Sequence, residues 1–265
     1  MNVVTPKTLF SIVTIVYNGE GFIEETIKST INQTYKNIEY IIVDGASKDG
    51  TLKIIDKYGS SVTKVISEPD LGLYDAMNKG IDQCTGEYII FMNGGDRFAN
   101  NDVLKSIDNE LMKSDVRPDF IYGDSYIDTG LSTVLKYKKA RDAKYFWYGM
   151  FTNHQAMIYR RSLLKENDLR YDLKYKISAD YKLTLQALTY SKTNLYINIP
   201  FCVFVLGGVS VQLRESGLDE AEKARKEVLN YTSLQLLGIR YLIYGARFVE
   251  DHLGWLHTLL RFSRK

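Results

Sequence analysis

Short apolar runs alternate with helically spaced stripes along the first 115 residues. Phe10-Ser-Ile-Val-Thr-Ile-Val16 is apolar, β-branched and short, the pattern of a strand buried on both faces. A turn, Tyr17-Asn-Gly-Glu-Gly21, follows, and Ile23, Ile27 and Ile31 then predict a helix over 22–33. A second strand over 38–44 ends at Asp44 and opens into Gly45-Ala-Ser-Lys-Asp-Gly-Thr51. Leu52, Ile55 and the ring of Tyr58 share one face of a helix near 51–58. Lys64–Ser67 is a third strand, and Pro69 makes Glu68–Gly72 a loop. Leu73, Met77, Ile81 and Cys84 form the next helical stripe. Glu87-Tyr-Ile-Ile-Phe-Met92 is a buried strand ending in Asn93-Gly-Gly-Asp96, with a helix near 102–113 behind it. This β-α repetition predicts a mainly parallel, doubly wound α/β sheet flanked by helices. Ligands of such sheets sit at the carboxyl ends of the strands, where all three acid-bearing turns fall.

The pattern changes after about residue 115. Asp119–Gly123 and Ala156–Tyr159 read as isolated strands, and Lys136-Tyr-Lys-Lys-Ala-Arg141 is basic. Asp180 begins a helix with Leu183 and Ala187 on its face; Tyr196–Leu206 is strand-rich and interrupted by Pro200. A helix over 217–237 and an amphipathic, basic tail over 239–263 complete the chain. No repeat, low-complexity segment or Pro/Gly/Ser-rich linker divides it. The expected organisation is one domain over 1–215, with halves 1–115 and 116–215, and a helical extension over 216–265.

Composition narrows the function classes. A formal net charge of +2 argues against a general nucleic-acid binder. Cys84 and Cys202 are far apart, which gives neither a metal framework nor a disulfide scaffold and suits a reducing cytosol. No signal-peptide layout or bilayer-spanning run is present, so the expected location is cytoplasmic, with peripheral contact at the inner face of the cell membrane as a further option. The 20 tyrosines suit half-buried clefts and interfaces, because the ring carries a polar tip.

Several residues carry candidate chemistry beside a structural alternative. Glycines in the 45–50 loop let backbone amides approach a ligand, while Ser47 or Asp49 also suits a helix cap. Asp96 has room for a hydrated Mg²⁺ or Mn²⁺ ion, or simply closes a turn. Asp180 is placed for a general base, or for a favourable interaction with a helix dipole. His154 and Gln155 precede a strand and either contact substrate or pack; Gly207-Gly-Val-Ser210 either hugs a ligand or turns the chain. The chain lacks a GxxxxGK[ST] loop, and no GxGxxG follows the first strand, which argues against a P-loop NTPase and a dinucleotide oxidoreductase.

Taken in order, these segments resemble the family 2 inverting, nucleotide-sugar-dependent glycosyltransferases with the GT-A fold. The match is dense over residues 10–100, through Ser11–Asn18, Val43–Thr51, Glu68–Gly80 and Gly86–Asp96. It is looser through His154-Gln155, Ala179-Asp180 and Gly207–Ser210, and the last 50 residues carry little of it. The resemblance implies that Tyr17 and Asp44 line the base pocket, that Asp70, Gly72, Asn78 and Gly95 border the donor, and that Asp96 holds the cation on the diphosphate. It implies Asp180 as the general base, with His154, Gln155, Gly207 and Gly208 on the acceptor side. The implied partners are a nucleotide-sugar donor, with UDP as carrier, and a saccharide or lipid-linked acceptor of cell-surface polysaccharide assembly. Many relatives carry Asp-x-Asp or Asp-Asp at the metal motif; Gly94-Gly95-Asp96 has one acid, so weaker metal affinity is expected.

Three alternatives stand beside this reading. A sugar-1-phosphate nucleotidyltransferase would carry basic residues after the first strand, and Tyr17–Gly21 has none. A non-catalytic scaffold of the same fold would explain the missing acid. An interaction module would put the weight on the tail, whose Leu242, Val249, Leu253, Leu256 and Leu260, with Arg240, Arg247, Arg261, Arg264 and Lys265, suit an anionic membrane surface, the chain's own domain or a homodimer contact.

Overall fold

The computed structural model describes residues 7–131, 133–206 and 214–252. In chain order the first half runs β1 (Phe10–Val16), α1 (Ile23–Ile31), β2 (Ile38–Asp44), α2 (Thr51–Lys57), β3 (Lys64–Ser67), α3 (Leu73–Gln83), β4 (Tyr88–Phe91), β5 (Arg97–Phe98) and α4 (Val103–Met112). The second half runs β6 (Phe120–Asp128), β7 (Lys136–Lys138), β8 (Met157–Arg160), α5 (Arg161–Glu166), α6 (Ala179–Tyr190), β9 (Asn194–Val205), α7 (Arg214–Leu229) and α8 (Ser233–His252). Among the described residues the strands form one sheet, ordered β3-β2-β1-β4-β8-β6-β9-β5, with β7 paired to β6. The first four are parallel, β8 runs antiparallel between β4 and β6, and β9 is parallel to β6. The expected α/β sheet is therefore present, with mixed pairing in its second half.

The sheet is covered on both faces, which is why its central strands read as unbroken apolar runs. Val13, Ile15, Ile89 and Phe91 pack toward Met77 and Ile81 of α3 and Leu183 of α6. Phe10, Ile12, Tyr88 and Ile90 pack toward Ile23 and Ile27 of α1 and Leu104 and Ile107 of α4. The β1–β2 register sets Val16 beside Asp44, and the β1–β4 register sets Val13 beside Phe91. The loops after these three strands therefore emerge at one edge.

Several elements differ from expectation. Leu73, expected on a buried stripe, is 51% exposed, and Tyr74 takes the inward position. The strand around Pro200 runs through it: the β6–β9 register jumps so that Pro200 faces Asp124, and this irregularity accommodates a residue with no N–H to donate. The single helix expected over 217–237 is two, separated at Asn230, whose φ of 55° cannot continue a helix. The tail expected from 239 thus begins inside α8, and its residues from 253 onward lie outside the described residues. β5, β7 and α5 are too short to produce a periodicity. Cys84 and Cys202 are free and buried. No helix among the described residues is long and apolar enough to cross a membrane.

Candidate active site

The loops after β1 and β2 are locked together across the sheet edge. Asn18 N–H donates to Ser47 Oγ at 2.8 Å, Lys48 N–H to Asn18 Oδ1 at 2.9 Å, Gly19 N–H to Thr51 Oγ1 at 2.7 Å and Gly50 N–H to Glu20 Oε2 at 2.9 Å. Asp49 accepts from Thr51 N–H at 3.0 Å, but the residue before α2 is Gly50, and neither Ser47 nor Asp49 is the cap of that helix. Tyr17 stands out from this platform, 61% exposed, as a ring available to stack on a ligand. Asp44 lies beneath it, fully buried. One carboxylate oxygen accepts from Ser47 N–H at 3.0 Å and Ser67 Oγ at 2.6 Å; the other, Oδ1, is buried with no partner. An unsatisfied buried acceptor is costly and marks a position that a ligand donor can complete. Asp70 comes in from the loop before α3, and its Oδ1 accepts from Gly72 N–H at 2.9 Å. Position 45 must be glycine for that approach, since a Cβ there would sit 2.4 Å from Asp70 Oδ2.

Asp96 follows a turn that requires glycine at 95, where φ is 98°. It caps no helix; the residue before α4 is Asp102. Its carboxylate instead accepts from Gln155 Nε2 at 2.7 Å and from Val205 N–H at 3.0 Å, which joins the Gly94-Gly95-Asp96 turn to the turn before β8 and to the end of β9. Burial pushes its pKa up to about 7, only partly offset by the two hydrogen bonds. Asn93 Oδ1 and Gln155 Oε1 are further buried oxygens without partners. Among the described residues no three His, Cys, Asp or Glu side chains cluster for a metal. One carboxylate flanked by unsatisfied neutral oxygens fits a Mg²⁺ or Mn²⁺ ion that completes its shell with phosphate oxygens and water, and does not make an all-protein cage.

Asp180 lies in the first turn of α6, half-buried, with Oδ1 accepting from Tyr181 N–H at 2.8 Å. Burial raises its pKa to about 6, within reach of a general base at neutral pH. The chain entering α6 is held by α7: Glu220 accepts from Lys176 N–H at 2.8 Å and from Ile177 and Ser178 N–H, each at 2.9 Å. The C-terminal extension, in which the sequence shows no site signal, therefore fixes the turn that presents Asp180.

A run of side-chain contacts, carried from Gln155 to His154 by the backbone, joins the two acids. Gln155, bonded to Asp96, adjoins His154, whose Nε2 shares a 2.8 Å hydrogen bond with Tyr171 Oη. The Tyr171 ring stacks on Tyr74 at 5.5 Å and 18°. Tyr74 Oη donates to the Ile177 carbonyl and lies 3.4 Å from Asp180 Oδ1. His154 is buried in this chain, and burial lowers its pKa to about 4, so it is a neutral packing and hydrogen-bonding group at neutral pH. Both ends of the Asn78 amide are engaged by Tyr171, as donor to the carbonyl and acceptor from the N–H, each at 2.9 Å, so it anchors the second half of the chain to α3. Tyr74, Tyr171 and Glu220 were not identified from the sequence; only the high tyrosine content pointed toward the first two. Gly207 and Gly208 lie outside the described residues.

Comparisons with known proteins identify the family and the fold. The sequence model of Glycosyl transferase family 2 matches residues 11–167. An uncharacterized glycosyltransferase of Mycobacterium tuberculosis is 31% identical over 185 residues, 69% of this chain and 70% of its own length. A PGL/p-HBAD biosynthesis glycosyltransferase of Mycobacterium bovis is 28% identical over 184 residues, 68% of this chain and 70% of its own. Among solved structures, S. aureus TarS 1-349 in complex with UDP-GlcNAc superposes with a TM-score of 0.67 at 18% identity, covering 94% of this chain and 74% of that one. A mannosyltransferase of Pyrobaculum calidifontis in complex with GDP-Man and Mn²⁺ gives 0.64 at 14% identity, covering 86% and 66%. The fold is thus that of GT-A glycosyltransferases. With the family model covering more than half of its residues, this chain belongs to glycosyl transferase family 2 and is a glycosyltransferase enzyme.

Proposed function

We propose that the enzyme transfers a sugar, with inversion, from a UDP-sugar to a hydroxyl of a saccharide or lipid-linked acceptor. The carrying observation is the run of contacts from Asp96 through Gln155, its backbone neighbour His154, Tyr171 and Tyr74 to Asp180, which links two carboxylates of raised pKa. In this reading Asp180 accepts the proton of the attacking hydroxyl. Tyr17 stacks on the base, and the unpartnered Oδ1 of Asp44 accepts from a base N–H. Asp70, Gly72 and Gly95 border the diphosphate and sugar. Asp96 and Gln155 hold the cation, which when bound neutralises charge on the departing diphosphate. Fixed charge and positioning supply most of the acceleration.

The tail fits a membrane-surface acceptor. Leu236 and Ile239 of α8 are buried, as expected for packing on the chain's own domain. Leu234, Leu237, Tyr241, Tyr244 and Phe248, spaced three and four apart, form an exposed stripe instead, with Leu242 exposed beside it. Arg240 adds little charge to that face, since Asp219 at 2.6 Å and Glu222 at 2.8 Å pair with it. The proposed contact rests on the aromatic and aliphatic side chains lying in the interfacial plane.

Thermal unfolding against UDP-, GDP- and dTDP-sugars, with and without Mn²⁺, tests the donor reading. A UDP-sugar at one hundred times its Kd stabilises the native state by about 2.7 kcal/mol. The shift should need the cation and disappear in Asp96→Asn. A panel in which no nucleotide sugar shifts the transition refutes the proposal.

A further inference from the structure

The segment between β7 and the His154 turn carries cations that the reaction site does not use. A cleft of about 560 Å³ opens beside it. Its wall is aromatic, from Tyr122, Tyr196 and Phe146, and also basic, from Lys139, Arg141 and Lys144. Asp142 is the acid among the lining residues, and it is ion-paired with Lys144 at 3.2 Å, so the lining keeps net positive charge.

Internal bonds hold this cleft in shape. Asp124 is fully buried on β6, beside the register irregularity with β9. Its Oδ1 accepts from Ala140 N–H at 2.8 Å and Tyr196 Oη at 2.9 Å, and its Oδ2 from Tyr137 Oη. Tyr122 Oη accepts from Ala143 N–H at 3.1 Å, and Arg141 donates from its backbone to the Phe151 carbonyl at 2.9 Å and from its guanidinium to the Met150 carbonyl at 2.8 Å. Burying a carboxylate is costly unless its lone pairs are used. Here the partners are the cleft's tyrosine wall and basic loop, so a buried acid with no part in the reaction fixes the loop at a set distance from the rings. Lys139 and Lys144 remain exposed at the rim.

The volume lies within the range of small-ligand sites. Aromatic rings accept the apolar face of a sugar, and rim cations accept an acid group on it. Leu188, at the cleft's edge, is two helical turns beyond Asp180 on α6, ~12 Å along the axis. That separation is too great for the reacting sugar and suits a unit further along the same chain.

We propose that this cleft is a subsite for an acidic sugar of the acceptor, a unit carrying a carboxylate or phosphate some residues away from the attacking hydroxyl. This deepens the acceptor side of the proposed function and rests on it. Isothermal calorimetry at low salt with the full chain tests it, using tetragalacturonate, the neutral maltotetraose, and pyrophosphate as probes. Tetragalacturonate should bind, maltotetraose should not, and pyrophosphate should not displace the acidic tetramer. The double variant Lys139→Gln/Lys144→Gln should weaken the tetramer by about tenfold, with added salt erasing the difference. Its thermal transition and nucleotide-sugar shifts should match the wild type. Equal binding of the neutral tetramer, unchanged affinity in the variant, or displacement by pyrophosphate overturns the proposal. Acidic-tetramer binding that depends on the lysines, in a protein that no nucleotide sugar stabilises, would mean that the donor reading had failed while the cleft had not.

Discussion

Asp180→Asn should make the enzyme slower and more stable at once. Burial lifts the Asp180 pKa from the ordinary 3.8 to about 6. The folded state therefore binds this proton more tightly than the unfolded chain does. Stability from this group is fully present below the unfolded pKa and is lost as pH rises through the folded one. At pH 8 the ionised carboxylate costs about 3 kcal/mol, and at pH 5 about half of that. Part of the side chain stays in water, so about 1–3 kcal/mol is expected at pH 8. Asparagine keeps the shape and an oxygen for Tyr181 N–H but carries no charge. The variant should melt about 2–5 °C above the wild type at pH 8, and this gap should shrink clearly at pH 5. Turnover should fall by about 10² to 10⁴-fold while the nucleotide-sugar thermal shift persists. Differential scanning calorimetry at both pH values, paired with release of nucleoside diphosphate, measures all three quantities. A melting gap independent of pH would refute the burial argument, and retained turnover would remove Asp180 from the base role.

Other substitutions probe the supports of the site. Gln155→Leu removes the donor at 2.7 Å from Asp96 and should raise the Mn²⁺ concentration needed for half-maximal donor shift by about tenfold, read by titrating the metal. Glu220→Ala strips three backbone N–H groups before α6 of their acceptor; it should cost about 2–3 kcal/mol in denaturant unfolding and lower kcat more than donor affinity. Asn78→Ala should cost about 1–3 kcal/mol with little effect on the donor shift at permissive temperature, as expected of an anchor. Replacing Leu237, Tyr241 and Phe248 together by Ser should abolish flotation with anionic liposomes; equal flotation of variant and wild type would leave the α8 stripe to another partner.

How much of this was legible follows from the reach of each interaction. β1, β2 and β4 are buried on both faces, so their apolar runs announce themselves within a few residues, and the loops that end them carry Asp44 and Asp96 in plain view. Their convergence needed only the rule for ligands at strand ends. The groups that hold the acids in place are a different matter. Gln155 reaches Asp96 across 59 residues, Glu220 reaches Ser178 across 42, and Tyr74 reaches Asp180 across 106. No local pattern encodes such pairs, since glutamine, glutamate and tyrosine are equally at home on a solvated helix. The same reach hides the anchoring role of Asn78, to which the resemblance assigns a place beside the donor and whose amide serves a backbone 93 residues away.

That asymmetry bears on how the site works. A carboxylate of raised pKa is useful only while its surroundings stay dry and fixed, and here the surroundings of each acid come from a different part of the chain. Asp96 is held by the turn before β8 and the end of β9, while the turn carrying Asp180 is held by α7. The two supports meet through Tyr171, which Asn78 ties to α3 on its backbone and which bonds His154 with its hydroxyl. Loosening the α7 support admits water to Asp180 and lowers its pKa before it disturbs the fold, because the apolar layers on either face of the sheet do not depend on these bonds; the hydrogen bonds to Asp96 act the other way, since each favours its charged form. Defects in the α7 support should therefore appear first as a downward shift in the acid limb of the pH–rate profile, at temperatures where unfolding transitions remain cooperative.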